Sequence, residues 1–478
     1  MLNVDFERFF QKQDVLNALE EKDLNEVYDL FFEYLEDCFD DNFDSKDMCL
    51  LTIELYKKGI DVLSLLTNEI PQGAFAYCNI DEIEIPDHIT AIGNDAFAYC
   101  DDARSIILPA GLKKVAYDAF EHHPADEDCV PRKVIFKGTL QDWCAIKFER
   151  YWSNPVDRVC CMDELYIDGE RIERELKIPE GVEVIESNTF RSFDQISKIV
   201  LPNTLKRIEE MAFYDCSNIE EIVIPDSVEY IGMCAFEGCR NLKKVVFGKE
   251  SKLKKIDKNA FYDCLNIREI VFPRSLETID KCAFQQCTSL EKVSQEKGGM
   301  LTEIEDYVFA ECKSLRTITL PGSLRFLGKE VFDGCDTLKE VYYEGTLRQW
   351  CKIRFDDCVY YMTNPLCEAE KLYIDGQLVE GQLTISDDCT SISEIAFAGQ
   401  KRITSLTIPK SVKTIGRNAF ANCDNLTDVY YQGTKEQWGE IWIGLGCDFF
   451  VCLAECETDI FPNAIINFGD QLPMQDKQ

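Results

Sequence analysis

The chain of 478 residues predicts an α+β repeat solenoid: coils with short parallel strands, a helical N-terminal cap and inserted Trp-containing modules. Three observations carry the prediction. A pattern of the form I-x-I-P-x-x-V-x-x-I-x-x-x-A-F-x-x-C-x-x-L recurs, as in IVIPDSVEYIGMCAFEGCRNL from Ile222 to Leu242. Two long gaps in that series hold copies of a second pattern built around a tryptophan. The segment ahead of the first copy has helical spacing instead.

The N-terminal stretch, 1–59, contains QDVLNALEEKD, LNEVYDLFFEYLEDCF and DMCLLTIELYKKG, with Gly59 placed as a C-terminal stop. Residues 1–70 carry 18 Asp and Glu against 6 Lys and Arg. The segment reads either as a cap over the open end of a solenoid or as an acidic docking arm.

Coils are expected over 60–136, 176–343 and 383–431. Their Phe positions are 75, 97, 120, 190, 213, 236, 261, 284, 309, 332, 397 and 420, and the short steps between them are all 22 to 25 residues. A Pro stands eleven residues before most of these Phe, at 86, 109, 179, 202, 225, 273, 321 and 409. Proline has no N–H to give to a ladder and so suits the end of a strand. One unit cannot close a core, whereas stacked units bury a continuous apolar column. The residues just before five successive strands, Lys198, Glu221, Lys244, Glu269 and Lys292, alternate in sign, which favours in-register stacking at about 4.8 Å.

The modules occupy 137–175 and 344–382. They begin KGTLQDWCAIKF and EGTLRQWCKIRF and continue to ELYIDGERI and KLYIDGQLV. G-T-x-x-x-W-x-x-I reads as a Thr-capped helical turn burying Trp143 with Ile146, or Trp350 with Ile353, and I-D-G as a hairpin turn. A third copy over 432–478 starts at Gly433 with Trp438. Phe461, 28 residues on, aligns with Tyr166 and Tyr373, so this module is expected to cap the last sheet edge. Core packing and a ligand pocket are the two readings of the tryptophans.

The repeat resembles the BspA-type leucine-rich repeat family, whose units carry L-x-x-I-x-I-P…V-x-x-I-x-x-x-A-F-x-x-C. The resemblance runs from about residue 60 to the end and implies leucine-rich repeat coils. Members are known as surface adhesins and protein-binding modules, so it also implies binding rather than catalysis.

Composition narrows the function. With 46% hydrophobic residues, 29% charged residues and no long apolar run, the chain reads as soluble, and a membrane is not expected as a partner. The formal charge of −36 opposes nucleic-acid binding. An acidic first segment, MLNVDFERFF, stands where an export signal would be basic and then apolar, so the expected compartment is the cytoplasm. There the 24 cysteines are expected to be reduced.

Cysteine stands three residues after the Phe in nine of the twelve units, at 78, 100, 216, 239, 264, 287, 312, 335 and 423. A ladder of that kind reads as small buried hydrophobes rather than nucleophiles or metal ligands. The chain has three histidines. His88 is read as exposed and structural. His122 and His123, followed by Asp126, Asp128 and Cys129, with Cys160 and Cys161 further on, form the one segment that a metal-dependent enzyme would use, against the alternative of a solvated loop. No catalytic residue, metal ligand or cofactor is assigned.

The middle residue of each strand forms an outward column in which Val200, Val223, Val246 and Val271 are apolar and Tyr342 follows. This column is the candidate protein-binding face, its alternative being β-propensity alone. The leading expectation is a non-enzymatic scaffold holding a protein partner, for which basic character would complement the charge. An adhesin exported without a classical signal is the second reading.

Overall fold

The computed structural model describes residues 4–39, 45–78, 81–100, 102–116, 118–121, 132–149, 162–356, 369–444, 461 and 464–469. The chain divides into two compact units, 1–219 and 220–478.

The first unit opens with five helices: α1 (Phe6–Phe10), α2 (Gln13–Glu21), α3 (Leu24–Phe39), α4 (Ser45–Lys57) and α5 (Val62–Leu65). Their apolar stripes close on one another through Phe9, Val27, Phe31, Leu35, Leu51 and Leu55, all buried. Phe9 meets Phe31 edge to face at 5.0 Å. After α4 the chain reverses at Gly59, which takes φ +78° while the Ile60 N–H bonds the Leu55 carbonyl at 3.1 Å. The three longer helices are those the spacing predicts; α1 and α5 are too short to leave a periodic signal.

The coils of this unit build two parallel sheets. The longer strands Glu82–Glu84, Ser105–Leu108, Arg132–Phe136 and Met162–Ile167 pair in order, and two-residue strands Glu69–Ile70, Ala91–Ile92, Lys114–Val115 and Lys147–Phe148 form the other sheet. Arg174–Lys177 and Ile196–Val200 pair in parallel later in the unit. In the second unit the long strands run Glu221–Ile224 with Lys244–Phe247, then Glu269–Phe272, Lys292–Gln295, Thr317–Leu320, Glu340–Tyr343 and Lys371–Ile374. A last set comprises Gly381–Thr384, Ile403–Ile408, Asp428–Tyr431 and Ile465–Phe468.

Physical causes recur in every coil. Each Pro carbonyl accepts from the N–H three residues on, as in Val228 to Pro225 at 3.2 Å and Leu276 to Pro273 at 3.2 Å, so the chain turns after the strand and returns an aliphatic side chain to the core. The Phe rings stack: Phe236, Phe261 and Phe284 lie 5.2 and 5.1 Å apart, tilted by 10° and 8°. Residues two before and two after the Phe take left-handed φ, for example Asn259 at 57° and Asp263 at 58°. That conformation aims their N–H groups at the next coil, where they bond the carbonyls of Lys281 and Gln285 at 3.0 Å. The expected charge pairing is present: Lys198 meets Glu175 at 2.6 Å, Lys244 meets Glu221 at 2.8 Å, and Lys292 meets Glu269 at 2.8 Å.

The Trp-containing modules sit within the repeat and carry both sheets onward. Each opens with a one-turn helix: α6 (Leu140–Cys144), α7 (Leu347–Trp350) and α8 (Lys435–Trp438). Thr139, Thr346 and Thr434 close capping boxes with Asp142, Gln349 and Gln437. Within each of the first two modules the chain reverses at an Asp-Gly hairpin, with φ of 49° and 78° at Asp168 and Gly169, and 49° and 73° at Asp375 and Gly376.

The third module departs from the expected alignment. Phe461 is not the counterpart of Tyr166 and Tyr373; the last described strand is Ile465–Phe468, and Asn467 is the register partner of Tyr430. Phe461 instead packs into the core, 5.4 Å from Phe420 and 6.3 Å from Trp438. A constant offset of 28 therefore misplaced the strand, because the ring that fits between Phe420 and Trp438 lies upstream of it.

Candidate binding face

On each long strand the inward residues are buried and the middle residue faces out. In the first unit Glu84, Ile107, Ile135 and Tyr166 are successive register partners. The Lys133 ammonium lies over the Tyr166 ring at 4.3 Å. Val200, the register partner of Lys177, is 39% exposed.

In the second unit Val223 and Val246 are register partners, as Val271 and Ser294 are. Val223 is 50% exposed and Val271 43%, while Val246 is half-buried. Thr319, Tyr342 and Tyr373 follow one another in register. Tyr342 thus lies three strands beyond Val271, with Ser294 and Thr319 on the strands between. The structure brings Val223 and Val246 together and places Tyr342 in a separate, more polar cluster.

That cluster has a second tyrosine which sequence reasoning missed. The Tyr342 and Tyr373 rings stack at 4.6 Å and 11°. Tyr373 belongs to KLYIDG, whose I-D-G signals the turn while the alternation of K-L-Y-I marks a strand whose Tyr points outward. The Tyr342 hydroxyl donates to Glu340 at 2.7 Å, and the neighbouring carboxylate pushes the phenol up to about 12. The same bond, with Lys371 at 3.0 Å, holds the Glu340 carboxyl below its usual range. An open groove of about 840 Å³ runs past these rings, lined also by Lys297, Glu344 and Asp375. Two exposed surfaces result, an aliphatic strip rimmed by Glu–Lys pairs and an aromatic groove.

The tryptophans of the Thr-capped turns are buried, Trp143 at 1% exposed, Trp350 at 0% and Trp438 at 2%, whereas Trp442 is 53% exposed. The Trp143 indole N–H donates to the Thr189 carbonyl at 3.1 Å, and Trp350 donates to Ala396 at 2.8 Å. Between ordinary coils the carbonyl just before a Phe is met by the N–H of the previous Phe, as Ala96 is by Phe75 at 2.8 Å. A module lacks that Phe turn, and its indole supplies the donor.

His88 is exposed and its Nε2 meets the Leu66 carbonyl at 2.9 Å. His122, His123, Asp126, Asp128, Cys129, Cys160 and Cys161 lie outside the described residues. Among the described residues the carboxylates of Asp95, Asp118 and Glu121 converge within 4.8 Å of one another. Asp95 and Asp118 hold the same left-handed position in successive coils, and stacking such positions brings acids together without any ligand. Burial, and then the Glu121 carboxylate that accepts from its hydroxyl, push the Tyr99 phenol up beside them. No described helix is long and apolar enough to cross a membrane.

Comparisons with known proteins agree with this architecture. The family model described as BspA type leucine rich repeat region (6 copies) matches residues 68–134, 171–291, 249–362 and 380–441, more than half of the chain. A leucine-rich repeat protein from Bacteroides ovatus is similar over 84% of this chain and 87% of its own, at 20% identity and a TM-score of 0.50, which shows the fold. A leucine-rich cell surface protein from Faecalibacterium prausnitzii is similar over 78% and 86% at 18% identity and a TM-score of 0.30. A T. pallidum leucine-rich repeat protein is similar over 35% and 69% at 28% identity and a TM-score of 0.27. No curated protein matches the chain.

Proposed function

Because this chain belongs to the BspA-type leucine-rich repeat family, in which an interaction or surface-scaffold role is the common theme, we propose that it is a non-enzymatic scaffold that binds a protein partner on its long-strand face. The observation that carries this reading is the exposed aliphatic strip of the second unit. Val223 and Val271 are 50% and 43% exposed on strands whose inward residues are fully buried, an apolar surface that the core does not use. Tyr342 and Tyr373 beside the groove extend the candidate surface of the second unit, and Val200 is an exposed valine of the first. Tyrosines on a rigid sheet give large contact area at little entropic loss. The charge of −36 favours a partner with a basic rim around an apolar centre. We place the protein in the cytoplasm, a reducing compartment in which its 24 cysteines are expected to stay as thiols.

The test is affinity capture from the source cell with wild-type protein and with a Val223→Asp, Val246→Asp double variant. A partner retained by the wild type and lost by the folded variant supports the strip, and equal recovery overturns it. Repeating the capture with Tyr342→Ala and Tyr373→Ala separates the groove from the strip.

A further inference from the structure

One member of the cysteine ladder differs from the rest. In the stacked coils a ladder thiol donates to the carbonyl of the Phe one coil earlier: Cys100 to Phe75 at 3.1 Å, Cys216 to Phe190 at 3.0 Å, Cys264 to Phe236 at 3.2 Å and Cys423 to Phe397 at 3.1 Å. Cys78 belongs to the first coil, so no Phe carbonyl precedes it. Helix α4 takes that place. Thr52 hydrogen-bonds the Ala74 carbonyl, and Cys49, one helical turn earlier on the same face, hydrogen-bonds the Cys78 thiol. Tyr28, itself buried, hydrogen-bonds Thr52 in the same cluster.

The surroundings of the ladder thiols diverge accordingly. Cys264, Cys287 and Cys312 are fully buried, and burial pushes their thiols well up. Cys78 is half-buried, and the hydrogen bond from Cys49 draws its thiol below the ordinary value. Reactivity with disulfides needs both thiolate character and access.

We propose that Cys78 and Cys49 form a thiol–disulfide exchange site, at which a small disulfide such as glutathione disulfide converts the pair into an intrachain bond stapling α4 to the first coil. The Cys78 thiolate attacks one sulfur of R–S–S–R, forming Cys78–S–S–R and releasing RS⁻, which takes up the proton Cys78 gave to solvent. The Cys49 thiolate then attacks the Cys78 sulfur. The Cys49–Cys78 bond forms and the second RS⁻ leaves, protonated in turn. Two protein thiols are oxidised to one disulfide and one small disulfide is reduced to two thiols, so electrons and protons balance.

A second pair provides an internal comparison. Cys351 and Cys389 are also hydrogen-bonded, and that bond draws the Cys389 thiol down to about 7. Both are fully buried, so a reagent of glutathione size has no route to them.

The test uses the reduced full-length chain, incubated with glutathione disulfide, quenched with iodoacetamide at intervals and mapped by peptide mass spectrometry. Cys78 is expected to react at least about tenfold faster than Cys264, Cys287 or Cys389, ending as a peptide cross-linked to Cys49. In Cys49→Ser the glutathione stays on Cys78 as a mixed disulfide, and in Cys78→Ser Cys49 stays unmodified; circular dichroism establishes that each variant is folded. Modification of Cys78 no faster than of the buried thiols, or its product linked to any other cysteine, overturns the proposal. These wild-type kinetics decide the matter even where a variant fails to fold.

Discussion

Single residues explain why a coil of two dozen residues holds its shape. The ladder cysteine is small enough for the interior, and its S–H adds a second donor to a Phe carbonyl that already has a backbone partner: Phe236 O accepts from the Cys239 N–H at 3.2 Å as well as from Cys264. Cys264→Ala should therefore cost only the lost contacts, about 1 kcal/mol in urea unfolding, because no acceptor is stranded. Trp350→Phe should cost more, about 1–3 kcal/mol on the same measurement, since it removes the donor that meets the buried Ala396 carbonyl. The ladder positions could be read from spacing. Which carbonyl each thiol and each indole meets could not, because those partners lie 25 to 46 residues away in sequence.

At the scale of elements, local chemistry and stacking divide the work. The Thr-capped turn of each module is a local device: in α7 the Gln349 N–H donates to Thr346 Oγ1 at 3.3 Å and the Thr346 N–H donates to Gln349 Oε1 at 2.9 Å. Thr346→Ala should cost about 0.5–2 kcal/mol in thermal or urea unfolding, at the upper end if Trp350 loosens with the turn. The ion pairs between strands are non-local and exposed. Glu221→Lys should destabilise by at most about 1 kcal/mol, and Lys244→Glu added to it should restore the loss at low salt but not at high salt. Sign alternation along the chain was enough to expect those pairs. It was not enough to find Ser294 beside Val271, because that coil ends its strand in Gln295 and breaks the aliphatic pattern. The misplacement of the third module's strand has the same origin: spacing reports the mean coil, and the last module departs from it.

Over the whole molecule the acidic balance shapes stability. Burial, then neighbouring acids, raise the carboxyls of Asp29, Glu305 and Asp333 above their usual range, and burial raises Glu186. A raised carboxyl holds its proton more tightly in the folded state, so its contribution is present below the ordinary pKa near 4 and is lost as pH rises through the folded value. Asp257 and Asp306 run the other way: despite burial, hydrogen bonds from Tyr230 to Asp257 and from Lys281 to Asp306 hold them low, so their stability is lost as pH falls below about 4. The melting temperature should therefore rise as pH is lowered from 8 to about 5 and fall below about 4, and added salt should raise it at pH 8 by screening the net charge of −36. A melting temperature that falls steadily from pH 8 downward would contradict this. The sequence by itself determined the repeat, its parallel strands, the buried Phe and Cys columns and the helical cap, because a fixed period with a fixed apolar pattern admits one way of stacking. Only the tertiary structure decided which exposed residues share a surface and which ladder thiol meets a helix instead of a preceding coil. Both depend on what each coil meets at its ends: Cys78 differs from its eight ladder counterparts because it meets a helix, and no periodicity encodes that neighbour.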